Sequence, residues 1–190
     1  MQFDVGNFAK IAENVKKAID EFGRIDIVIY SAGVHTENVD FFTMTPEEFD
    51  RIIDINLKGA YFICQAFGKY MIEQRIHGHM LLVSSSRGSE PAWSPYGVSK
   101  WALNGLTKGL AQMLLPHGIV INTIAPGSTA TELIGIKEGD NLYSNENATH
   151  RLITPDEVAQ IAKVMVSDTA NMIAGEVIHV SAGRGCFDIR

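Results

Sequence analysis

The sequence predicts a doubly wound α/β fold built on a parallel sheet. Three apolar runs of strand length support it, at 25–30, 80–83 and 119–125, and each ends in polar or glycine-rich residues. Those endings are Ser31-Ala32-Gly33, Ser84-Ser85-Ser86-Arg87-Gly88 and Pro126-Gly127. Long stretches of helical periodicity separate the runs, the alternation that covers a parallel sheet with helices. Open parallel sheets bind ligands at the carboxyl ends of their strands, so hydroxyls and glycines gathered there predict a site along one edge.

The elements follow in order. Residues 7–22 place Phe8, Ile11, Val15, Ile19 and Phe22 on one helical stripe that stops at Gly23, a residue suited to the left-handed turn after a helix. The strand at 25–30 comes next. Thr45-Pro46-Glu47-Glu48 has the pattern of a capping box with proline at the first helical position. It opens a long helix to about residue 74, with Phe49, Ile52, Ile53, Leu57 and Tyr61 on one face. Gly78 precedes the strand at 80–83. Ser94 as N-cap and Pro95 as first residue start a helix that runs to 115 and stops at Pro116. After the strand at 119–125, residues 127–153 lack strong periodicity and are polar, as in a lid or a disordered segment. Thr154-Pro155-Asp156-Glu157 repeats the capping signature and begins a helix to about 166; a strand at 176–180 closes the sheet.

The 190 residues suit one domain, 46% hydrophobic and 20% charged, with a net charge of −6. An acidic balance without a basic run argues against a nucleic-acid partner. No apolar run approaches the 18 residues of a membrane span, and the amino terminus lacks the basic and apolar regions of a signal peptide, so cytoplasm is the expected compartment. Cys64 and Cys186 are too few and too distant to suggest a metal site or a disulfide framework. Asn147-Ala148-Thr149 reads as a chance glycosylation sequon.

Tyr96 and Lys100 carry the chemistry. They lie four apart where a helix begins, so phenol and ammonium share one face. A phenol titrates near pH 10, too high for a proton carrier at neutrality, and a neighbouring cation favours its ionised form. That pair suits general acid/base work on a carbonyl or alcohol oxygen. The plain alternative is two helix neighbours without a role. Asn56 lies inside a helical run, where asparagine is mildly unfavourable. A kink or a buried hydrogen bond would explain it; a solvated asparagine is the alternative.

These motifs, together with Asp4-Val5, Asp54-Ile55-Asn56-Leu57-Lys58-Gly59, Asn122-Thr123-Ile124-Ala125-Pro126-Gly127 with Thr131, and Gly175-Glu176-Val177-Ile178-His179-Val180, resemble the classical short-chain dehydrogenases/reductases. The likeness runs from about residue 3 to 183 and implies a Rossmann-like sheet. It implies an oxidoreductase that interconverts a carbonyl and a secondary alcohol with NAD or NADP. By the resemblance Tyr96 is the general acid/base, Lys100 also holds the nicotinamide ribose, and Ser85 bonds the substrate oxygen, although Ser84 or Ser86 could substitute. Asn56 would serve a water-mediated proton relay behind Lys100. Asp4, with Val5 beside it, would meet the adenine. Ser31, Ala32 and Gly33 match the family's Asn-Asn-Ala-Gly in part, and Tyr30 and Ser31 in place of the asparagines weaken cofactor contact and sheet bracing there. Pro126, Gly127 and Thr131 match the turn that meets the carboxamide and phosphate, and 127–153 matches the substrate lid. The family also implies a homodimer or homotetramer, with Ile63, Phe67 and Tyr70 on one helix and Trp101, Leu106 and Leu110 on another facing identical helices.

One part of the family pattern has no counterpart. No Gly-x-x-x-Gly-x-Gly precedes Tyr96, and residues 1–5 resemble the end of the family's third strand. The sheet is therefore expected to be truncated at its amino end, short of two βαβ steps on the order of sixty residues. Two readings follow: an active oxidoreductase, or an incomplete substrate half unable to hold a dinucleotide alone. A sequence shortened from a longer chain would reconcile them.

Overall fold

The computed structural model describes residues 3–36, 39–137 and 139–187; what was expected at Met1, Gln2 and Glu138 lies outside these. Four strands, β1 (Ile27–Tyr30), β2 (His79–Val83), β3 (Val120–Pro126) and β4 (Val177–Val180), pair in parallel in that spatial order. The helices among the described residues are α1 (Ile11–Phe22), α2 (Pro46–Ile53), α3 (Ala60–Glu73), α4 (Pro95–Leu114) and α5 (Pro155–Met165). Each expected strand is present with its ends shifted by a residue or two. Phe3 to Val5 lie in no strand; instead Asp4 Oδ1 accepts the Gly6 N–H at 2.9 Å and turns the chain.

Side chains alternate along the strands and sort the helices onto two faces. Met80 and Leu82 pack with Ile11 and Val15 of α1, Ile63, Phe67 and Met71 of α3 and Leu103 of α4. Leu81 and Val83 point the other way, into a smaller cluster with Val158, Ile161 and Met165 of α5. The sheet is doubly wound, as the sequence predicts. The first two crossovers pass over the first face, whereas β3 to β4 passes over the second although the strand order advances the same way. The last crossover therefore has the opposite hand to the other two, an uncommon arrangement because parallel crossovers are overwhelmingly of one hand.

Capping follows the sequence. Thr45 Oγ1 accepts the Glu48 N–H at 3.2 Å, and Ser94 Oγ accepts the Gly97 N–H at 3.2 Å. At Thr154 the box is reciprocal: its hydroxyl accepts from Glu157 N–H at 3.3 Å while the Glu157 carboxylate accepts from Thr154 N–H at 2.9 Å. The helix expected from Thr45 to about 74 is continuous but not uniform, because Asp54–Gly59 between α2 and α3 forms a π-helical turn. Such turns are rare and concentrate at functional sites.

The apolar residues expected to meet a second subunit are mostly spent within the chain. Ile63 and Phe67 are buried in the core, and Tyr70, Leu106 and Leu110 pack against it; of the six only Trp101 stays half exposed, with its indole N–H donating to the Glu90 carbonyl at 2.7 Å. Residues three and four apart share a helix face, so these side chains turn inward together. Besides Trp101, the large apolar side chains exposed on α2, α3 and α4 are Phe49, Tyr61, Ile72, Val98 and Met113. No helix among the described residues is long and apolar enough to cross a membrane.

Candidate active site

The carboxyl ends of β1, β2 and β3 bring Ser31–Gly33, Ser84–Ser86 and Pro126–Gly127 to one edge of the sheet, and the amino end of α4 sets Tyr96 and Lys100 against them. Ser94 and Pro95 fix where α4 starts, and hence which turn carries the phenol. Lys100 is 4% exposed; its ammonium donates to the Val83 carbonyl at 2.9 Å and lies 5.5 Å from the centre of the Tyr96 ring. Burial depresses its pKa to about 8.

Ser84 and Ser85 have separate tasks. The Ser84 hydroxyl donates to the Lys100 carbonyl at 3.1 Å and ties the strand end to α4. Ser85 Oγ accepts the Arg87 N–H at 3.2 Å, opening the short turn Ser86–Ser89, and faces the Tyr96 phenol closely enough to favour its ionised form. Ser86 is buried. Of the three hydroxyls, Ser85 is the one that meets the phenol.

The surroundings of Tyr96 pull its pKa in two directions. Burial raises the phenol pKa above its ordinary value, and the opposing influences are the Ser85 hydroxyl and the Arg87 guanidinium. The Lys100 ammonium stands over the ring rather than at the hydroxyl, and directs a hydrogen bond to Val83. Sharing a helix face brings the ammonium over the phenol ring.

Asn56 is fully buried in the π-helical turn. Its Oδ1 accepts the Val34 N–H at 2.8 Å, and its Nδ2 donates to the Val34 carbonyl at 3.0 Å and to Ser99 Oγ at 3.1 Å. The wider turn aims the carboxamide across to the loop after β1, so both alternatives the sequence offered, a distortion and a buried hydrogen bond, hold at once. Replacing Asn56 with alanine leaves both Val34 backbone groups without these partners. The expected cost is about 2–4 kcal/mol of stability, read as a lowered denaturation midpoint.

The same turn revises the reading of Tyr30. Its hydroxyl donates to the Ile55 carbonyl, and a Cβ on Gly59 would come within 2.6 Å of that hydroxyl. Tyr30 thus ties the end of β1 to the π-helical turn. Burial raises its phenol pKa strongly.

The other sequence candidates scatter. Gly33 backs onto the centre: a Cβ there would lie 3.4 Å from Asn56 Oδ1 and 3.5 Å from Lys100 Nζ. Ser31 is exposed and Ala32 packs against the core. Asp4 is engaged in its own turn with Gly6, and the Val5 carbonyl lies against Gly59. Gly127 donates to the Val180 carbonyl at 3.0 Å, and a Cβ on it would meet the Ser181 backbone at 3.0 Å, so close packing between β3 and β4 requires glycine there. The Thr131 hydroxyl donates to the Thr129 carbonyl at 3.4 Å.

Three features were not read from the sequence. His35, two residues beyond Gly33, packs its ring on Tyr96 with centroids 4.4 Å apart. The Arg87 guanidinium, from the loop after β2, favours the phenolate. Arg184, 15% exposed, pairs with Glu90 at 2.9 Å and Glu146 at 2.6 Å and donates to Ser128 Oγ at 2.6 Å. That ion cluster ties the segment after β4, the loop after β2 and residues 127–153 together beside a cavity of about 490 Å³. Within 127–153, Ala130 N–H donates to Ile153 O at 2.8 Å, and the fully buried Asn147 donates to Arg151 O at 2.7 Å, which holds the sequon asparagine inside.

Comparison with known proteins agrees with this layout. A family model described as enoyl-(acyl carrier protein) reductase matches residues 1–184. A short-chain dehydrogenase/reductase of Armillaria gallica is 31% identical over 191 residues, spanning 95% of this chain and 73% of that protein. The 3-oxoacyl-[acyl-carrier-protein] reductase of Thermotoga maritima is 34% identical over 179 residues, 92% of this chain and 72% of its own. Among solved structures, ElxO with NADP bound superposes with a TM-score of 0.87 at 28% identity, covering 97% of this chain and 77% of that one. The 3-ketoacyl-(acyl-carrier-protein) reductase from Brucella melitensis in complex with NADH gives 0.83 at 28% identity, covering 96% and 76%. With a parallel sheet, a Tyr-x-x-x-Lys helix and a strand-end serine in one place, the chain belongs to the short-chain dehydrogenase/reductase family.

Proposed function

We propose that this chain interconverts a carbonyl and a secondary alcohol with NAD or NADP as hydride carrier, Tyr96 acting as general acid/base. The observation that carries the reading is the meeting of Ser85 and Tyr96 at the end of β2, with the buried Lys100 ammonium over the same ring. In reduction the phenol gives its proton to the carbonyl oxygen while the Ser85 hydroxyl donates to that oxygen as negative charge develops. Lys100 provides positive charge beneath the ring, and Asn56 holds Val34 and Ser99 so that the loop after β1 and α4 keep their spacing.

The residues present fit a nicotinamide cofactor. The Gly33 backbone comes close to Asn56 and Lys100 at the strand end, so a ribose would be held beside the ammonium and the glycine. Bound there, the cofactor supplies or accepts the hydride; the protein supplies orientation and proton traffic. Ser31, Ala32 and Gly33 would line its path, Asp4 and Val5 the adenine side, and Pro126, Gly127 and Thr131 the nicotinamide side. Residues 127–153 act as the substrate lid of a single domain, tethered by Arg184 through Glu146. A homodimer or homotetramer would cover the outer apolar residues of α2, α3 and α4.

A second reading, an incomplete unit that cannot hold a dinucleotide alone, is favoured by β1. It is an edge strand with Ile27 46% and Ile29 49% exposed, the kind of apolar edge that folded proteins normally cover. Titrating the 190-residue chain with NADH by nucleotide fluorescence separates the two. Saturation at low micromolar concentration supports the first. Binding weaker by several orders of magnitude supports the second, because each charge-assisted phosphate bond lost costs roughly 1.5–3 kcal/mol.

A further inference from the structure

The cavity of about 490 Å³ beside Arg184 takes its walls from three segments: the loop after β2, residues 127–153 and the segment after β4. Its volume is that of a small-molecule site. It adjoins the reacting centre. A Cβ on Gly185, one of its lining residues, would come within 2.8 Å of the carbonyl oxygen of Ser86, the neighbour of Ser85 in sequence. The Glu90 carboxylate accepts from Arg87 at 3.0 Å through one oxygen and from Arg184 at 2.9 Å through the other. Glu146 completes the cluster from residues 127–153, its Oε2 accepting from Arg184 Nη1 at 2.6 Å and from the Ser128 hydroxyl. The Ser128 hydroxyl and the Arg184 guanidinium hold the Glu146 carboxyl below its ordinary pKa, so it is ionised at neutral pH. Arg184 and Glu146 both line the cavity. Neither Arg184 Nη2 nor Glu146 Oε1 has a hydrogen-bond partner among the described residues.

The charges of Glu90, Glu146, Arg87 and Arg184 cancel, so this wall offers no net attraction to a carboxylate or a phosphate. A hydrocarbon chain laid against it would take water from the ions and return no hydrogen bond. A hydroxyl suits it better. It donates to a carboxylate oxygen and accepts from a guanidinium, so neighbouring hydroxyls meet Glu146 and Arg184 in charge-assisted bonds. Pro91 and Phe187 offer apolar surface to the C–H edges of the same molecule. We propose that this cavity is the part of the substrate site beyond the carbonyl, that the substrate is a polyhydroxylated, sugar-like ketone, and that Arg184 and Glu146 select it. This rests on the reading of Tyr96 as the general acid and deepens it by naming the substrate class. The step is unchanged: the carbonyl carbon gains a hydride from the nicotinamide, which is oxidised, and the oxygen gains the Tyr96 proton. The product is a polyol.

The test measures reduction of L-erythrulose, a short polyhydroxylated ketone, against methyl pentyl ketone, an apolar one, by the full chain with NADH or NADPH. In the wild type kcat/KM should favour erythrulose by roughly a hundredfold, as expected where a site is built to bond a substrate hydroxyl. Glu146→Gln and Arg184→Met should each lower that ratio by about tenfold or more, the size of one lost hydrogen bond to a charged group. The loss should fall on the KM for erythrulose. A wild-type preference for the apolar ketone overturns the proposal, and so does a ratio that both substitutions leave unchanged. A second readout needs no turnover. The Arg184 Nε–H resonance, assigned by its loss in Arg184→Met, should move and saturate as erythritol is added, with weaker binding in Glu146→Gln. An Arg184 signal indifferent to the polyol overturns the proposal whatever the turnover. If neither ketone is reduced while that signal still responds, the reading of Tyr96 as the acid has failed and the polyol site stands.

Discussion

Tyr96→Phe is expected to lower the rate of carbonyl reduction by roughly 10²–10⁴-fold, the usual contribution of a positioned general acid. The affinity for NADH or NADPH should change less than about threefold, well under the 1.4 kcal/mol of a tenfold effect. Phenylalanine retains the ring that His35 and Lys100 flank and removes only the hydroxyl that Ser85 faces. Steady-state kcat and a fluorescence titration on the same preparation separate the two quantities. Near-normal turnover would end the assignment of Tyr96 as the acid, because it would mean that another group delivers the proton.

Lys100→Met should act in opposite directions on stability and on catalysis. The ammonium is 4% exposed, with its pKa lowered from 10.5 to about 8 by burial. A lysine depressed on folding binds more protons in the unfolded chain between those values, so stability rises with pH from about 8 to 10.5 and the full cost stands below 8. That cost is on the order of 3 kcal/mol near neutrality, against about 1 kcal/mol for the hydrogen bond to Val83 that methionine gives up. The variant should therefore be more stable by about 2 kcal/mol at pH 7, lack the alkaline rise, and show severely reduced turnover with weaker cofactor binding. Urea midpoints at pH 7 and pH 10 read the first two. A variant less stable than wild type at pH 7 would mean that the ammonium is not paying a burial cost.

The strands and the partnership of Tyr96 with Lys100 were legible because both depend on local spacing. Apolar runs of four to seven residues that end in glycine or serine have few other uses, and an i, i+4 pair lands on one helix face whatever surrounds it. Where the ammonium points was not legible, since it depends on the Val83 carbonyl arriving from another strand. The same holds for Arg184, which reaches Glu90 and Glu146 over 94 and 38 residues of sequence. An apolar helix face says that something covers it, not what; for Ile63 and Phe67 the cover is the chain's own core. The reversed hand of the last crossover has no signature in composition or period, and only the facing of Leu81 and Ile124 against Met165 reveals it.

The π-helical turn at Asp54–Gly59 sets how the site answers to a change in chain length. A π turn holds one residue more than an α turn, so deleting a single residue there lets the helix close into regular α geometry with every backbone bond kept. Each residue of an α-helix advances about 100° around the axis. The π turn spends about one residue more than an α turn on the same revolution, so a deletion just before Asn56 would leave α2 and α3 in phase while it draws the carboxamide off Val34 and Ser99 and parts Tyr30 from Gly59. The helix would gain in regularity while the junction of the loop after β1 with α4 came apart. For most helices a lost residue is damage to be absorbed at a loop; in this one, the surplus residue is what lets a single helix serve both the core and the site.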